Sequence, residues 1–291
     1  MQRLFRPFSL NLHGRLREFD RPQVMGIVNV TPDSFYAGSR TQSDSDIAAR
    51  VESMMADGAD MIDIGAYSSR PGASDVSPAE EADRLLHGLK AVRRVAPDAI
   101  VSVDTFRAEV ARMAIGEGAD IINDISGGDM DPEMFDTVAE LKVPYVLMHM
   151  RGTPSTMQQF TQYEQDDVVA GVMQELSTKV ERLAYMGVAD IIIDPGFGFS
   201  KTLTQNYDLL RNLGTLHCFG RPLLAGVSRK SMITRALGIA PDQALNGTTA
   251  INTIALLEGA AILRVHDVAE ARQAVELTEL TIGPAPLYST I

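Results

Sequence analysis

Asn29, Asp104, Asn123, Asp194, Arg264 and His266 stand at or beside the ends of short apolar runs, where a buried segment has no reason of its own to place an amide, an acid or a base. Asp63, Asp124, the pair His149 and Arg151, and the tetrapeptide Ser228-Arg229-Lys230-Ser231 lie in equivalent positions. Carboxylates accept hydrogen bonds and amides both accept and donate. Asp104, Asn123 and Asp194 therefore suit a flat heterocycle with several N–H donors and ring acceptors, guanine-like or pterin-like. Arg70, Arg229, Arg264 and His266 offer cations for phosphate or carboxylate oxygens, and an arginine can hold two oxygens at once. The expected substrate is anionic.

Each of these residues also has a duller reading. Asp63 and Asp124 taken singly read as helix caps or buried hydrogen-bonding groups. His149, between Met148 and Met150, reads as a satisfied core histidine. His13, His87 and His217 carry no functional signal, and the histidines lack the close helical spacing of a zinc site. Phe35, Phe197 and Phe199 occur in glycine-rich stretches, where packing and an exposed stacking surface weigh about equally.

The apolar runs that must position these groups are residues 24–29, 61–64, 100–104, 120–124, 145–148, 191–194, 223–227 and 261–265. Amphipathic segments alternate with them, at 45–57, 78–94, 108–116, 132–142, 165–186, 204–212, 230–237 and 248–258. Eight β-type runs joined by helical crossovers predict an α/β protein, a (β/α)8 TIM barrel with parallel strands. In such a barrel all strand ends of one sense converge on one face, which would gather the polar residues into one site. Gly58, Gly118 and Gly187 follow helices and are placed to turn the chain into the next strand. Residues 1–22, with His13-Gly14 between two apolar-containing segments, predict an N-terminal β-hairpin that plugs the bottom of the barrel. A doubly wound dinucleotide fold is the rival, but no Gly-x-Gly-x-x-Gly follows the first run, and Gly196-Phe197-Gly198 lacks the third glycine.

The bulk properties agree with a single domain over 1–291. A 291-residue chain that is 45% hydrophobic is near the usual barrel size. The net charge of −12, with no Lys/Arg-rich block, argues against nucleic acid as a partner. One cysteine, Cys218, excludes a disulfide framework and fits a reducing, cytoplasmic setting; a buried, inert thiol is expected. Neither a signal peptide nor a run of membrane-spanning length is evident, so no membrane partner is expected.

Taken in order, the motifs resemble the dihydropteroate synthase family over essentially the whole chain. Met25-Gly-Ile-Val-Asn29-Val-Thr-Pro-Asp33-Ser-Phe35 is similar to its first signature, and Asp63-Ile-Gly-Ala-Tyr-Ser-Ser69-Arg70-Pro71-Gly72 to its second. Ser102-Val-Asp104-Thr, Ile122-Asn123-Asp124, Met148-His-Met, Asp194-Pro-Gly-Phe-Gly-Phe199-Ser-Lys201, Ser228-Arg229-Lys230-Ser231 and Arg264-Val-His266-Asp continue the match. The resemblance implies a pterin site formed by Asp104, Asn123, Asp194, Lys230, Met148 and Gly226. It also implies a pyrophosphate site of Asn29, Arg70, Arg264 and His266, with Asn29 contacting Mg²⁺. Phe35, Ser69, Arg70, Pro71, Phe199 and Ser231 would enclose 4-aminobenzoate. Asp104, Lys230, Arg264 and His266 would carry catalysis, and a homodimer built through the last helices is implied as well. The reaction would displace pyrophosphate from the pterin's exocyclic methylene by the aromatic amine, through an SN1-like course. One well-placed donor to the leaving group is worth on the order of 3–4 kcal/mol.

The first loop has Ala37 and the second Tyr67 where the family often carries acids, while Phe197 and Ser200 replace a usual Ile and Gly. These departures touch loops and not the pterin set. Two other functions remain: a folate-binding methyltransferase on the same barrel, and a pterin-binding paralogue without turnover. The former is not expected to carry both Ser69-Arg70-Pro71 and Ser228-Arg229-Lys230-Ser231.

Overall fold

A computed structural model of the chain describes residues 4–30, 44–67 and 76–283. Ten strands occur among these residues: β1 Phe8–Leu12, β2 Arg15–Phe19, β3 Gln23–Asn29, β4 Met61–Gly65, β5 Ile100–Asp104, β6 Ile121–Asp124, β7 Tyr145–Met148, β8 Ile191–Asp194, β9 Leu224–Ala225 and β10 Ile262–Val265. The helices are α1 Asp44–Ala56, α2 Pro78–Val95, α3 Ala108–Gly116, α4 Met134–Leu141, α5 Val168–Tyr185, α6 Leu203–Arg211, α7 Ser231–Leu237, α8 Leu245–Leu257 and α9 Val268–Ile282. Strands β3 to β10 form one parallel sheet in the order β8-β7-β6-β5-β4-β3-β10-β9. A bridge between Ile193 and Leu223 and a 2.9 Å bond from Ile193 N–H to Pro222 O bring β9 back to β8 and close the barrel. The expected (β/α)8 architecture is therefore present. β9 is shorter than the expected 223–227: Leu223 forms only an isolated bridge to Ile193, and Gly226 has no side chain to pack.

Side-chain alternation along each strand sorts the apolar residues into two layers. Val24, Val28, Ile62, Ile64, Val101, Val103, Ile122, Tyr145, Leu147, Ile191, Ile193 and Leu263 face the helices in the main core. Met25, Met61, Ile100, Ile121, Val146, Ile192, Leu224 and Ile262 point inward and fill the bottom of the barrel with Phe5, Leu10 and Phe19. Those last three place the N-terminal hairpin where the sequence predicts a plug. His13 and Gly14 both take positive φ in its two-residue turn. Phe8 stacks on Phe19 at 4.8 Å, Asn11 N–H donates to Asp190 at 3.0 Å, and His13 meets Asp120 at 3.1 Å.

Gly58 and Gly118 take positive φ just after α1 and α3, as their placement predicts. Two expectations need correction. The amphipathic pattern does not mark α9 as a separate helix, because its buried stripe is Val268, Ala271, Ala274, Val275 and Thr278, small residues with little contrast to their neighbours. Cys218 is exposed, not buried. It lies on a 3-10 turn, Leu213–Phe219, whose three-residue repeat puts Leu213 and Leu216 inside and position 218 outside.

Candidate active site

Further along the strands, two or four residues beyond the apolar layer at the bottom, the inward positions become mostly polar. Met61 is followed inward by Asp63, Ile121 by Asn123, Val146 by Met148, Ile192 by Asp194, Leu224 by Gly226 and Ile262 by Arg264; Asp104 and Asn29 end β5 and β3 in the same sense. Register makes these residues neighbours. Asn29 lies opposite Gly65, Gly65 opposite Asp104, Asp104 opposite Asn123, and Met148 opposite Asp194. The period-2 pattern that packs the bottom of the barrel thus also builds a polar ring at its mouth.

Arg264 is the hub of that ring. Its Nε donates to Asp63 Oδ2 at 2.6 Å and its Nη2 to Asp104 Oδ2 at 2.7 Å. Asn123 Nδ2 reaches both oxygens of Asp63, at 3.2 and 3.3 Å. Asp63 is fully buried, so its charge is tolerable only with these donors. The two carboxylates hold Arg264 strongly in its charged form. Burial raises the Asp104 carboxyl to about 7; Arg264 opposes the rise, and the negative Asp63 reinforces it.

Across the mouth, Asp194 accepts from Gly196 N–H at 2.7 Å. Burial pushes its carboxyl up, against the pull of the Lys230 ammonium. Lys230 precedes α7 and donates to Phe197 O at 2.6 Å, with its Nζ 4.7 Å from the Phe199 ring centre. Burial lowers the ammonium to about 8, with Asp194 holding it up. A Cβ added to Gly226 would lie 3.7 Å from Lys230 Nζ and 3.8 Å from Asp194 Oδ2, so the bare glycine keeps space open between acid and base. Met148 packs with Phe106, Ile125, Met150, Met157 and Phe199 in an apolar patch beside the ring. Such a patch suits the face of a flat ring.

His266 and Ser228 bond to each other twice. Ser228 Oγ and His266 Nδ1 are 3.0 Å apart, and His266 N–H donates to Ser228 Oγ at 3.2 Å. Arg229 is turned away by its positive φ and pairs with Asp267 at 2.5 and 2.9 Å. It is a tie between loops, not a free anion ligand. Ser231 is exposed at the first turn of α7. Phe35, Ser69, Arg70 and Pro71 lie outside the described residues.

The duller readings hold in several places. Asp124 accepts from Ser126 N–H, Ser126 Oγ, Gly128 N–H and Tyr145 Oη at 2.7–2.8 Å, and so organises a loop. His149 is buried and bonded on both ring nitrogens. Phe197 is fully buried and Phe199 nearly so, which favours packing for the former; Phe199 adds its ring face to Lys230. Of the two sequence readings of Asp63, helix cap or buried hydrogen-bonding group, the structure shows the second. Its tie to Arg264 was missed because 201 residues separate the pair.

For a divalent cation, Asn29 Oδ1 lies 3.6 Å from the point a Cβ on Gly65 would occupy, so the bare glycine leaves room beside that amide oxygen, while Asp104 Oδ2, 3.7 Å from the same point, is already held by Arg264. Among the described residues no set of three or more His, Cys, Asp or Glu forms a metal cage. One or two protein oxygens fit Mg²⁺ that keeps waters and binds chiefly through substrate phosphates.

Residues 25–266 match the family of pterin binding enzymes. The match and the barrel fold together therefore define a pterin-binding barrel enzyme. The chain is 42% identical to dihydropteroate synthase of Escherichia coli over 277 residues, 94% of this chain and 97% of that protein. A Yersinia pestis dihydropteroate synthase solved with a sulfonamide drug superposes with a TM-score of 0.87 at 40% identity, covering 94% of this chain and 98% of that one. The Xanthomonas albilineans enzyme solved with 4-aminobenzoic acid gives 0.86 at 39% identity, covering 95% and 99%. The chain belongs to the dihydropteroate synthase family, transferases of folate biosynthesis. No helix among the described residues is long and apolar enough to cross a membrane.

Proposed function

We propose that this chain condenses 6-hydroxymethyl-7,8-dihydropterin pyrophosphate with 4-aminobenzoate, giving 7,8-dihydropteroate and pyrophosphate. The observation that carries the reading is the convergence of Asp104, Asn123, Asp194 and Lys230 on one mouth, with Gly226 leaving ring space between acid and base. Relatives support both ends of the reaction: the Xanthomonas enzyme has been solved with the substrate 4-aminobenzoic acid and with the product 7,8-dihydropteroate.

In this mechanism the two Asp carboxylates and the Asn123 amide hold the pterin edge, and Lys230 donates to a ring acceptor. The C–O bond from the methylene to pyrophosphate breaks ahead of C–N formation. Positive charge then grows on the pterin, where Asp104 and Asp194 stabilise it. Arg264 and His266 face the departing pyrophosphate, which takes the bonding electron pair. The arylamine adds to the methylene through its lone pair and releases one proton to solvent, so no strong protein base is needed. Bound Mg²⁺, held by Asn29 and phosphate oxygens, would supply charge stabilisation to the leaving group. The reading includes a homodimer, supported by the exposed Ile254 of α8 and Leu277 and Leu280 of α9.

Incubation with both substrates and Mg²⁺ should yield dihydropteroate and pyrophosphate in equal amounts, and no product would refute the assignment. Lys230→Ala should lower turnover steeply in a folded protein. With oxygen-18 in the bridging position, isotope scrambling in the absence of arylamine supports the dissociative course, and its absence opposes it.

A further inference from the structure

Lys201 is a buried amine that the mechanism does not use; burial lowers it to about 7, with Asp194 holding it up. It is 3% exposed, and its Nζ lies 3.0 Å from each of three acceptors: His149 Nδ1, Gly196 O and Phe199 O. His149 Nε2 lies 3.1 Å from Glu175 Oε2 on α5, and Arg151 Nε donates to Glu175 Oε1 at 2.8 Å. Glu175 accepts and Lys201 donates, which fixes the neutral histidine as the Nε2–H tautomer. Burial, with help from the nearby Lys201 charge, holds the imidazole down to about 4, so it stays neutral. The Arg151 guanidinium lies 3.9 Å over the Tyr163 ring, and Tyr163 Oη donates to Ser200 O at 3.2 Å. The chain of contacts therefore starts on α5 and ends on both flanks of the segment 196–200.

That segment needs holding. Gly196, Gly198 and Ser200 all take positive φ, and Ser200 does so with a side chain, a conformation that costs on the order of 1 kcal/mol. It also delivers what Lys230 rests on: Phe197 O, the Phe199 ring, and the Gly196 N–H that orients Asp194. The two carbonyls bonded to Lys201 flank the one bonded to Lys230.

We propose that Lys201, supported through His149 and Glu175, is a positioning residue for the transfer reaction. It pins the segment after β8 so that Lys230 is aimed into the pterin site. Lys201 Nζ ties Gly196 O and Phe199 O to one point, which leaves Phe197 O directed at Lys230. A single side chain buried against three acceptors is a rigid support, and small misplacements of a binding group are costly to catalysis. The inference rests on the reading of Lys230 as a pterin ligand.

The test is a double-mutant cycle on the full-length protein with Lys201→Met, Lys230→Met and the pair, read by steady-state kinetics with both substrates. Lys201→Met is expected to raise KM for the pterin pyrophosphate by about 10-fold or more. In the Lys230→Met background the same change should add less than about 2-fold, because its effect runs through Lys230. A residue that merely supports the fold would lower the active fraction, hence kcat, and leave KM unchanged. An unchanged KM, or effects that multiply independently, overturns the proposal. Should Lys201→Met not fold, Glu175→Gln replaces it in the same cycle with the same two outcomes. Wild-type protein that makes no dihydropteroate defeats the functional reading instead, so the two failures are distinguishable.

Discussion

Asp63→Asn isolates the least expected member of the site. The wild-type carboxylate is fully buried, accepts from Arg264 at 2.6 Å and from Asn123 at 3.2–3.3 Å, and lies across the same guanidinium from Asp104. The asparagine keeps one acceptor but turns an amide toward existing donors. Loss of a charge-assisted bond costs about 1.5–3 kcal/mol, partly offset by relief of the repulsion from Asp104. Urea denaturation should therefore show a loss of roughly 1–2 kcal/mol. The sharper readout is pH. Asp104 is raised to about 7, in part by the negative Asp63, and the mechanism uses its ionised form. Wild-type kcat/KM should fall as pH drops through about 7. In Asp63→Asn that acid limb should move downward, by about one to two pH units for a charge removed from a shared site. An acid limb that stays in place or moves upward refutes the coupling of the two acids through Arg264.

Asp104→Asn tests the same shift as a stability effect. A carboxyl raised from its ordinary value to about 7 stabilises the fold fully below its unfolded pKa and loses that contribution as pH rises through 7. The melting temperature of Asp104→Asn relative to wild type should therefore increase from acid to alkaline pH, and a flat difference counts against it. Gly226→Ala introduces only ordinary contacts, 3.7 Å to Lys230 Nζ and 3.8 Å to Asp194 Oδ2, so thermal melting should be unchanged while KM for the pterin substrate rises; unchanged KM places the ring elsewhere. Phe19→Ala removes a 4%-exposed ring from the barrel plug and should cost about 3–5 kcal/mol in denaturant titration, with little change in KM; a cost under about 1 kcal/mol would mean the hairpin is not part of the core. A sulfonamide should inhibit competitively against 4-aminobenzoate, and indifference to saturating drug would contradict the placement of that substrate.

The barrel is readable in the chain because its strands are marked twice, by apolar runs and by the polar residues that lie at or just past most of their ends. Asp104, Asn123 and Asp194 stand out for that reason, and register brings Asp104 beside Asn123 as a barrel requires. Partnerships are less legible. Nothing local to Asp63 points to Arg264, and nothing local to Lys201 points to His149, because each pair meets only when strands far apart in the chain lie close in the sheet. Arg229 is a comparable case: it has the residue type of an anion ligand, but its backbone turns it onto Asp267. Small-residue packing hid α9, and a three-residue turn put Cys218 outside.

The most direct measurement is a crystal structure of the protein bound to the pterin pyrophosphate. The heterocycle edge should lie within hydrogen-bonding distance of Asp104, Asn123, Asp194 and Lys230, with the pyrophosphate toward Arg264 and His266. A ring bound outside the barrel mouth, with those side chains untouched, would contradict the account.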